Sequence, residues 1–327
     1  MDSLIFALEA VLPIIIVVAI GYLIKRIGLL TTDMAKVTNR LVFRVFLPVM
    51  LFLNVYKIEN LADIELDYII YAAIATVLVF ALCIPAVILV TKRGERRGAL
   101  LQACFRSNYA LIGIPLAESL FGQTGVSVAT VLSAVSIPIF NILAVVSLSV
   151  FGKGEQKPSV KKILLGIVKN PLIQSIFLGL AVLGVRTIFL QNGISFRLTE
   201  IKPMLTVLDY LSRLATPLAL LMLGVQFEFS AVRELKREII FGTLMRTVII
   251  PVMGLGIAFI FFRHFGGAKF AALVALFATP VAVSSVPMAQ EMGADHTLAG
   301  QLVVWTTLVS SVTVFLISFL LKLAGIF

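Results

Sequence analysis

Three consecutive polar residues, Arg106, Ser107 and Asn108, lie inside an apolar run that is long enough to cross a bilayer. Gly113 and Pro115 follow them, and both residue types weaken a helix. Freed backbone groups in a membrane need protein or a water-filled cavity to satisfy them. The Asn108 amide can donate to a carboxylate, and Arg106 can draw anions toward it. We therefore predict a broken membrane helix whose break binds a substrate.

A second polar interruption occurs late in the chain, over residues 278–289. Two interrupted spans at matching places in two halves indicate the binding site of a secondary transporter. Half-helices that start near Pro115 and Pro287 would point two N-terminal ends, which carry partial positive charge, at one anion site. The predicted substrate-binding residues are Asn108, Ser107, Gly113, Pro115, Thr279, Pro280, Ser284, Ser285, Pro287, Asn141, Gln301 and Arg106.

Each of these assignments has a structural alternative. Asn108 would instead cap the broken backbone, and the serines and threonines would bond to their own or a neighbouring helix. Arg106 would instead extend toward lipid phosphate. Asn141 and Gln301 lie in helices that should flank the break, where a polar group in a membrane is usually functional. Glu118 and Glu291 lie near the ends of the interrupted helices and are candidates for a coupling proton or for simple solvation at the interface.

The composition indicates a membrane protein with many spans. Of 327 residues, 60% are hydrophobic and only 13% are charged, whereas soluble domains are about half apolar and a quarter charged. The net charge of +10 falls in short loops between apolar spans, which is typical of membrane orientation rather than of nucleic-acid binding. We find no Cys/His cluster for a metal, no cofactor motif and no nucleophile–base pair for an enzyme.

Because a helix needs about 20 mostly apolar residues to cross a bilayer, the sequence predicts ten spans. Lys and Arg follow the first, third, fifth and seventh spans, as in Lys25-Arg26 and Lys92-Arg93. Such loops are cytoplasmic. We therefore expect the protein in the cell (inner or plasma) membrane, with both termini on the extracytoplasmic side. The predicted spans are 4–24, 37–55, 67–91, 97–121, 124–151, 162–185, 203–226, 237–262, 267–291 and 297–323.

The hydrophilic stretch 152–161 is predicted to be a cytoplasmic linker that divides the chain into two five-helix repeats, 1–151 and 162–327. Because five is odd, the two repeats must insert in opposite orientations. Matching features in corresponding spans support an inverted repeat. They are Pro13 to Gly21 with Pro171 to Gly179, Arg44-x-x-x-Pro48 with Arg213-x-x-x-Pro217, Pro85 with Pro251, and Ile114-Pro115-Leu116-Ala117 with Val286-Pro287-Met288-Ala289.

These motifs also resemble those of the auxin efflux carrier family, whose bacterial branch includes proteins described as malate or malonate permeases. Residues 108–116 resemble the Asn-x-x-x-x-Gly-Ile-Pro-Leu segment of the plant carriers' fourth helix. Lys169-Asn170-Pro171 resembles the sixth helix, 217–224 the seventh, and Ala278-x-Pro280 with Ala289-Gln290-Glu291 the ninth. The long cytoplasmic loop of many plant members is absent, as in the short bacterial type.

The resemblance implies an all-α, ten-helix fold in the superfamily of bile-acid/sodium symporters, with broken helices 4 and 9 crossing. Helices 1, 2, 6 and 7 would form a scaffold that dimerises, and helices 3–5 and 8–10 a transport domain that moves as an elevator. The implied function is secondary transport of small organic anions, either auxin-like acids or dicarboxylates such as malate and malonate. A sodium-coupled symporter of the bile-acid type is the alternative, and the coupling ion, a proton or sodium, stays open. A channel is a further alternative, and it would differ from a carrier in showing no saturable counterflow.

Overall fold

The computed structural model describes residues 2–57, 65–151, 160–194, 197 and 200–327. Over these residues the chain is helical, and the one β-type pairing is an isolated bridge between Ser107 and Val281. Most of the predicted linker, residues 152–159, lies outside the described residues. The helices are α1 (Asp2–Arg26), α2 (Thr32–Leu41), α3 (Leu47–Tyr56), α4 (Leu66–Val90), α5 (Gly94–Phe105), α6 (Ile114–Val150), α7 (Val160–Lys169), α8 (Pro171–Gln191), α9 (Lys202–Gln226), α10 (Ala231–Glu234), α11 (Lys236–Leu244), α12 (Ile250–Phe261), α13 (Gly266–Ala278), α14 (Ser285–Glu291) and α15 (His296–Leu323).

Within the described ranges, seven continuous helical stretches have the length and composition needed to cross a membrane. The prediction of an all-helical, multi-pass membrane protein is therefore confirmed at this level. The interrupted helices do not qualify by themselves, because α5, α13 and α14 contain 12, 13 and 7 residues, fewer than the about 20 needed. The seven stretches are Thr32–Tyr56, Leu66–Val90, Tyr109–Val150, Pro171–Gln191, Lys202–Gln226, Lys236–Phe261 and His296–Leu323.

The stretch Tyr109–Val150 is 42 residues long, and it changes direction at one glycine. Gly122 has φ 55° and ψ −142°, next to Phe121 with φ −138° and ψ 17°. Only glycine adopts such a positive φ without strain. This kink lies between the predicted spans 97–121 and 124–151.

Three prolines in the apolar helices are each preceded by a π-helical turn. A proline has no N–H, and its ring clashes with the carbonyl four residues earlier. A wider turn, with bonds from residue i to i−5, moves that carbonyl away. The turns are Val42–Phe46 before Pro48, Tyr109–Gly113 before Pro115, and Met245–Ile249 before Pro251.

Both helix breaks lie within the stretches where the sequence predicted them, at residues 106–108 and 279–284. The half-helix after the second break starts at Ser285, close to Pro287 as expected, whereas the helical stretch after the first break already starts at Tyr109, six residues before Pro115. Pro115 lies at the start of α6 after its π turn, and Pro287 lies in the first turn of α14. In a first turn the proline removes an N–H that has no intrahelical partner anyway. Both prolines therefore stay within helices.

Two helix groups surround the breaks. In one group, α3 packs against α8 and α9, and α1 packs along α9. In the other, α13 packs along α6, and α15 contacts α5, α11 and α14. The contact between α1 and α9 is close, because a Cβ on Gly21 would lie 2.1 Å from the Leu221 carbonyl oxygen. A Cβ on Gly224 would lie 2.0 Å from the Val18 carbonyl oxygen.

Gly224→Ala is expected to destabilise the protein by about 1–3 kcal/mol, because the added methyl group forces the backbones of α1 and α9 apart. The matched control is Gly184→Ala in α8, where a Cβ meets nothing within 4 Å. Thermal denaturation in detergent should show a lower melting temperature for the Gly224 variant alone. Equal melting temperatures for the two variants would contradict the importance of this contact.

Candidate functional site

The two breaks lie side by side and are joined by backbone hydrogen bonds. The Asn108 N–H donates to the Pro280 carbonyl at 2.8 Å, and the Ala282 N–H donates to the Arg106 carbonyl at 3.4 Å. These bonds make the antiparallel bridge between Ser107 and Val281. The Val281 N–H donates to Thr306 Oγ1 at 3.1 Å. We call residues 106–108 and 279–284 the crossing, and each break satisfies part of the other's exposed backbone, as a membrane requires.

Arg106 turns inward from the crossing and is only 4% exposed. Its Nη2 donates to Asn141 Oδ1 and to Ser284 Oγ, both at 2.9 Å. Its Nη1 donates to Gln102 Oε1 at 2.6 Å and to Met288 Sδ at 3.1 Å. The guanidinium therefore ties α5, α6 and α14 together around the crossing, and it does not extend toward the lipid surface.

The charge of Arg106 has only neutral partners in the described part of the chain, where no carboxylate lies within ion-pairing distance of it. A buried charge is costly unless another charge or good hydrogen bonds compensate it. Four neutral acceptors lower that cost but leave the site electropositive. An anion that reached Arg106 would therefore be strongly favoured.

A cavity of about 200 Å³ lies beside the crossing. Residues of α3 and α9 form one wall, and the crossing with the first turn after it forms the other. Its lining is largely apolar, with four polar side chains: Asn54, Asn108, Thr216 and Ser284. The apolar and small residues are Leu47, Met50, Ala110, Leu111, Ala215, Ala219 and Val283.

A smaller cavity of about 60 Å³ lies on the inner side of the crossing. It shares Met50, Asn54, Asn108, Ala110 and Ser284 with the larger cavity. It also reaches Arg106, Ser107, Tyr109 and Asn141. The Ser107 Oγ and Tyr109 Oη atoms are buried and have no hydrogen-bond partner among the described residues. The two cavities therefore adjoin at Asn108 and Ser284, and the smaller one adds the side chains of Arg106, Ser107 and Asn141 to the lining.

Five of the predicted site residues line these cavities. Asn108 and Ser284 line both, and Arg106, Ser107 and Asn141 line the smaller one. The other seven line neither cavity, and they are Gly113, Pro115, Thr279, Pro280, Ser285, Pro287 and Gln301.

Most of those seven residues shape the crossing instead. Gly113 faces Ala275, where an added Cβ would lie 3.0 Å from the alanine Cβ. Pro280 offers its carbonyl to Asn108, and the Thr279 hydroxyl donates to the Ala275 carbonyl at 2.7 Å. Ser285 is buried at the start of α14, and its Oγ has no partner among the described residues. These residues support the geometry around the cavities without facing them.

Gln301 has a different environment from the one we expected. Its Nε2 donates to the Glu228 carbonyl at 2.8 Å, and its Oε1 accepts from Trp305 Nε1 at 3.2 Å. It therefore ties α15 to the segment after α9 and faces away from the two cavities.

Sequence reasoning missed Asn54 and Thr216. Both come from the helix group that faces the crossing, and both present polar atoms to the larger cavity. A polar side chain in an apolar span was the available signal. That signal does not show whether a polar side chain faces a binding site or a neighbouring helix.

Arg246 is a third residue without a predicted role. Its side chain is fully buried, and it donates to four backbone carbonyls. Two of them, Cys104 and Phe105, end α5, and the other two, Leu276 and Thr279, lie at the end of α13. The guanidinium thus holds the carbonyl ends of both interrupted helices at the crossing.

A cluster of amides connects the two helix groups at one end of the molecule. Asn39 Nδ2 donates to Gln226 Oε1 at 2.9 Å and to Gln290 Oε1 at 3.1 Å. Glu291, next in the chain, forms ion pairs with Arg40 at 3.2 Å and Arg44 at 3.5 Å. Glu291 is therefore engaged in ion pairs, and α14 is fastened to α2 and α9 at the end of the molecule that bears these arginines.

Comparison with known proteins identifies a family. The family model described as membrane transport protein matches residues 6–318. An uncharacterized transporter of Methanothermobacter thermautotrophicus is 26% identical over 308 residues, which cover 93% of this chain and 95% of that protein. The uncharacterized transporter MJ1031 of Methanocaldococcus jannaschii is 26% identical over 236 residues, which cover 69% and 70% of the two chains.

Proposed function

The chain belongs to the membrane transport protein family, the auxin efflux carrier family that its motifs resemble, and from this premise we propose that it is a secondary active carrier of small organic anions across the plasma membrane. The observation that carries the proposal is Arg106, a buried cation with neutral partners that lines the smaller cavity together with Asn108 and Ser284. A carboxylate would complete its charge and use the planar, forked donors that suit bidentate binding.

The lining favours an anion with one carboxylate and a compact apolar body. Among the described residues that line the two cavities, Arg106 is the only cation. The larger cavity is walled by leucine, methionine, valine and alanine side chains, which suit an apolar group. A second carboxylate placed there would be buried without a charged partner, which is costly. We therefore favour auxin-like monocarboxylates over dicarboxylates such as malate or malonate.

Asn108 and Ser284 would supply the neutral contacts to the bound anion. Both residues line both cavities, so they lie between the larger cavity and Arg106. The Asn108 amide can donate to a carboxylate oxygen while its backbone remains fixed by the bond to Pro280. Arg106 Nη2, which now donates to Asn141 Oδ1 and Ser284 Oγ, would redirect its bonds to the substrate carboxylate, and the Ser284 hydroxyl would then be free to donate to it as well.

We further propose that the protein has ten spans in two inverted five-helix repeats, residues 1–151 and 162–327, joined by the linker 152–161. Helices α1–α3 and α7–α9 would form a scaffold, and α4–α6 with α11–α15 a transport domain. The larger cavity, which has α3 and α9 on one side and the crossing on the other, supports this division, and α1 packs against α15 across it. Movement of the crossing past α3 and α9 would carry a bound anion between the two sides as an elevator. We also propose that two copies of the protein form a homodimer through their scaffolds. Both termini would lie outside the cell.

A thermal-shift screen of the purified protein tests the substrate class. We expect small apolar monocarboxylates to raise the melting temperature, dicarboxylates to raise it less, and the neutral amides of the same acids not to raise it. A ligand at 100 times its Kd should add about 2.7 kcal/mol of stability. The screen is run with and without sodium and across pH, so that it also reports a coupling ion.

Counterflow in proteoliposomes then tests turnover. Saturable exchange of a stabilising acid is expected for a carrier, whereas a channel would give no such exchange. Sodium-dependent uptake would favour the alternative, a sodium-coupled symporter. If neither monocarboxylates nor dicarboxylates stabilise the protein at any pH, the proposal of an organic-anion carrier is wrong.

A further inference from the structure

The side chain of Arg246 bridges the two interrupted helices on the face of the crossing formed by their carbonyl ends. Its Nε donates to the Thr279 carbonyl at 2.7 Å, and its Nη2 donates to the Leu276 carbonyl at 3.0 Å. Its Nη1 donates to the Phe105 and Cys104 carbonyls at 3.1 and 3.4 Å. All three guanidinium nitrogens are therefore used, and every acceptor is a backbone oxygen at a helix end.

These oxygens attract a cation for a general reason. The last carbonyls of a helix have no intrahelical partner, and the helix dipole adds partial negative charge there. Here two such ends, those of α5 and α13, converge on one buried point. In interrupted helices of transporters, unwound carbonyls and C-terminal helix ends are the groups that coordinate a coupling cation.

In this protein a side chain already occupies that point. The exposed fraction of Arg246 is 0%, and no carboxylate of the described residues forms an ion pair with it. Its charge is therefore compensated by the carbonyl ends of α5 and α13. Arg246 lies in the π turn Met245–Ile249 before Pro251, so a local feature of its helix fixes where the guanidinium points.

We propose that Arg246 is a tethered counter-cation: its guanidinium permanently fills the place at the crossing where a bound coupling cation would sit. The carrier then keeps its crossing assembled without sodium, and substrate binding does not depend on sodium. Arg246 acts as a positioning residue, because it holds the backbone of both breaks while Arg106 and Asn108 face the cavities. This inference concerns the cation at the crossing and does not rest on the identity of the transported anion.

Chemical rescue of Arg246→Ala tests the proposal. The variant should melt at a lower temperature than the wild type, because it leaves four buried carbonyls without their donor. Guanidinium chloride, at concentrations far below those that denature proteins, should raise its melting temperature. Urea has a similar planar shape and no charge, so it should not. The matched control is Arg233→Ala, an exposed arginine beside α11, whose melting temperature should not respond to guanidinium.

The melting temperature of Arg246→Ala is also measured in sodium chloride and in potassium chloride at equal ionic strength. Rescue of Arg246→Ala by a metal cation would support the proposal further, because a free ion would then replace the tethered one. Equal rescue by guanidinium and urea would overturn it, since space-filling rather than charge would be restored. Sodium-dependent substrate binding by the wild type would also overturn it.

Two further variants decide the matter if Arg246→Ala cannot be purified. Arg246→Lys keeps the charge with three N–H donors in place of five, and Arg246→Gln keeps two N–H donors without the charge. We expect the lysine variant to have the higher melting temperature of the two. If the glutamine variant equals or exceeds it, a counter-cation is not required at this position. These measurements need no substrate, so their outcome is independent of whether an organic anion is transported.

Discussion

Asn108→Ala is expected to weaken substrate binding by roughly 10- to 150-fold in Kd, the value of one hydrogen bond to a charged group. The amide faces both cavities, whereas the backbone bond from Asn108 to Pro280 does not involve the side chain. The crossing should therefore stay assembled, and the melting temperature of the protein without ligand should change little. Thermal shift with the best acid of the screen gives the affinity.

The control for this variant is Asn192→Ala, which removes an exposed asparagine whose amide donates to the Ile188 carbonyl of its own helix. It should bind like the wild type. Asn108→Asp adds a negative charge beside the expected carboxylate position and should bind more weakly than Asn108→Ala. Normal transport by Asn108→Ala would mean that Asn108 is not a substrate contact.

Arg106→Gln should have the largest effect on binding, roughly 30- to 5,000-fold in Kd, because it leaves a buried carboxylate without its charged partner. Arg106→Lys keeps a point charge but loses the fork in which Nη2 reaches Asn141 and Ser284 while Nη1 reaches Gln102. Its affinity is expected between those of the wild type and Arg106→Gln. Isothermal titration or thermal shift distinguishes the three proteins.

The Arg106 variants also report whether the guanidinium is structural. Its bonds to Gln102 and Met288 predict some loss of stability in Arg106→Gln, so binding is compared at a temperature where every variant is folded. Arg237→Gln, at an exposed arginine that donates to the Leu89 carbonyl, controls for a general loss of positive charge. Wild-type affinity in Arg106→Gln would contradict the anion site.

Helix positions were largely predictable because hydropathy is a local property of the chain. The predicted span 67–91 corresponds to α4 (Leu66–Val90), and 203–226 corresponds to α9 (Lys202–Gln226). The first break was placed too close to Pro115, whereas the second half-helix starts near Pro287 as expected. Pro115 follows a π turn and Pro287 lies in a first turn, so both are compatible with helix, and the sequence does not show which proline a helix accommodates.

The site was predictable in part for the same reason. Arg106, Ser107 and Asn108 are polar residues in an apolar span, and they are adjacent in sequence. Arg246 was visible as a costly charge within a span, but its four carbonyl partners lie 30 to 142 positions away in the chain. Pairings at such separations depend on how the helices pack. No local pattern of hydropathy specifies them.

The bridge between Ser107 and Val281 has a consequence for biosynthesis. Val281 leaves the ribosome about 170 residues after Ser107, a delay of roughly 10 to 35 s at typical elongation rates. During that interval the N–H of Asn108 and the carbonyl of Arg106 lack the partners that they have in the finished protein. Hydrocarbon does not tolerate such groups, so residues 106–108 are expected to stay in contact with water or with the insertion machinery until residues 280–282 have been synthesised.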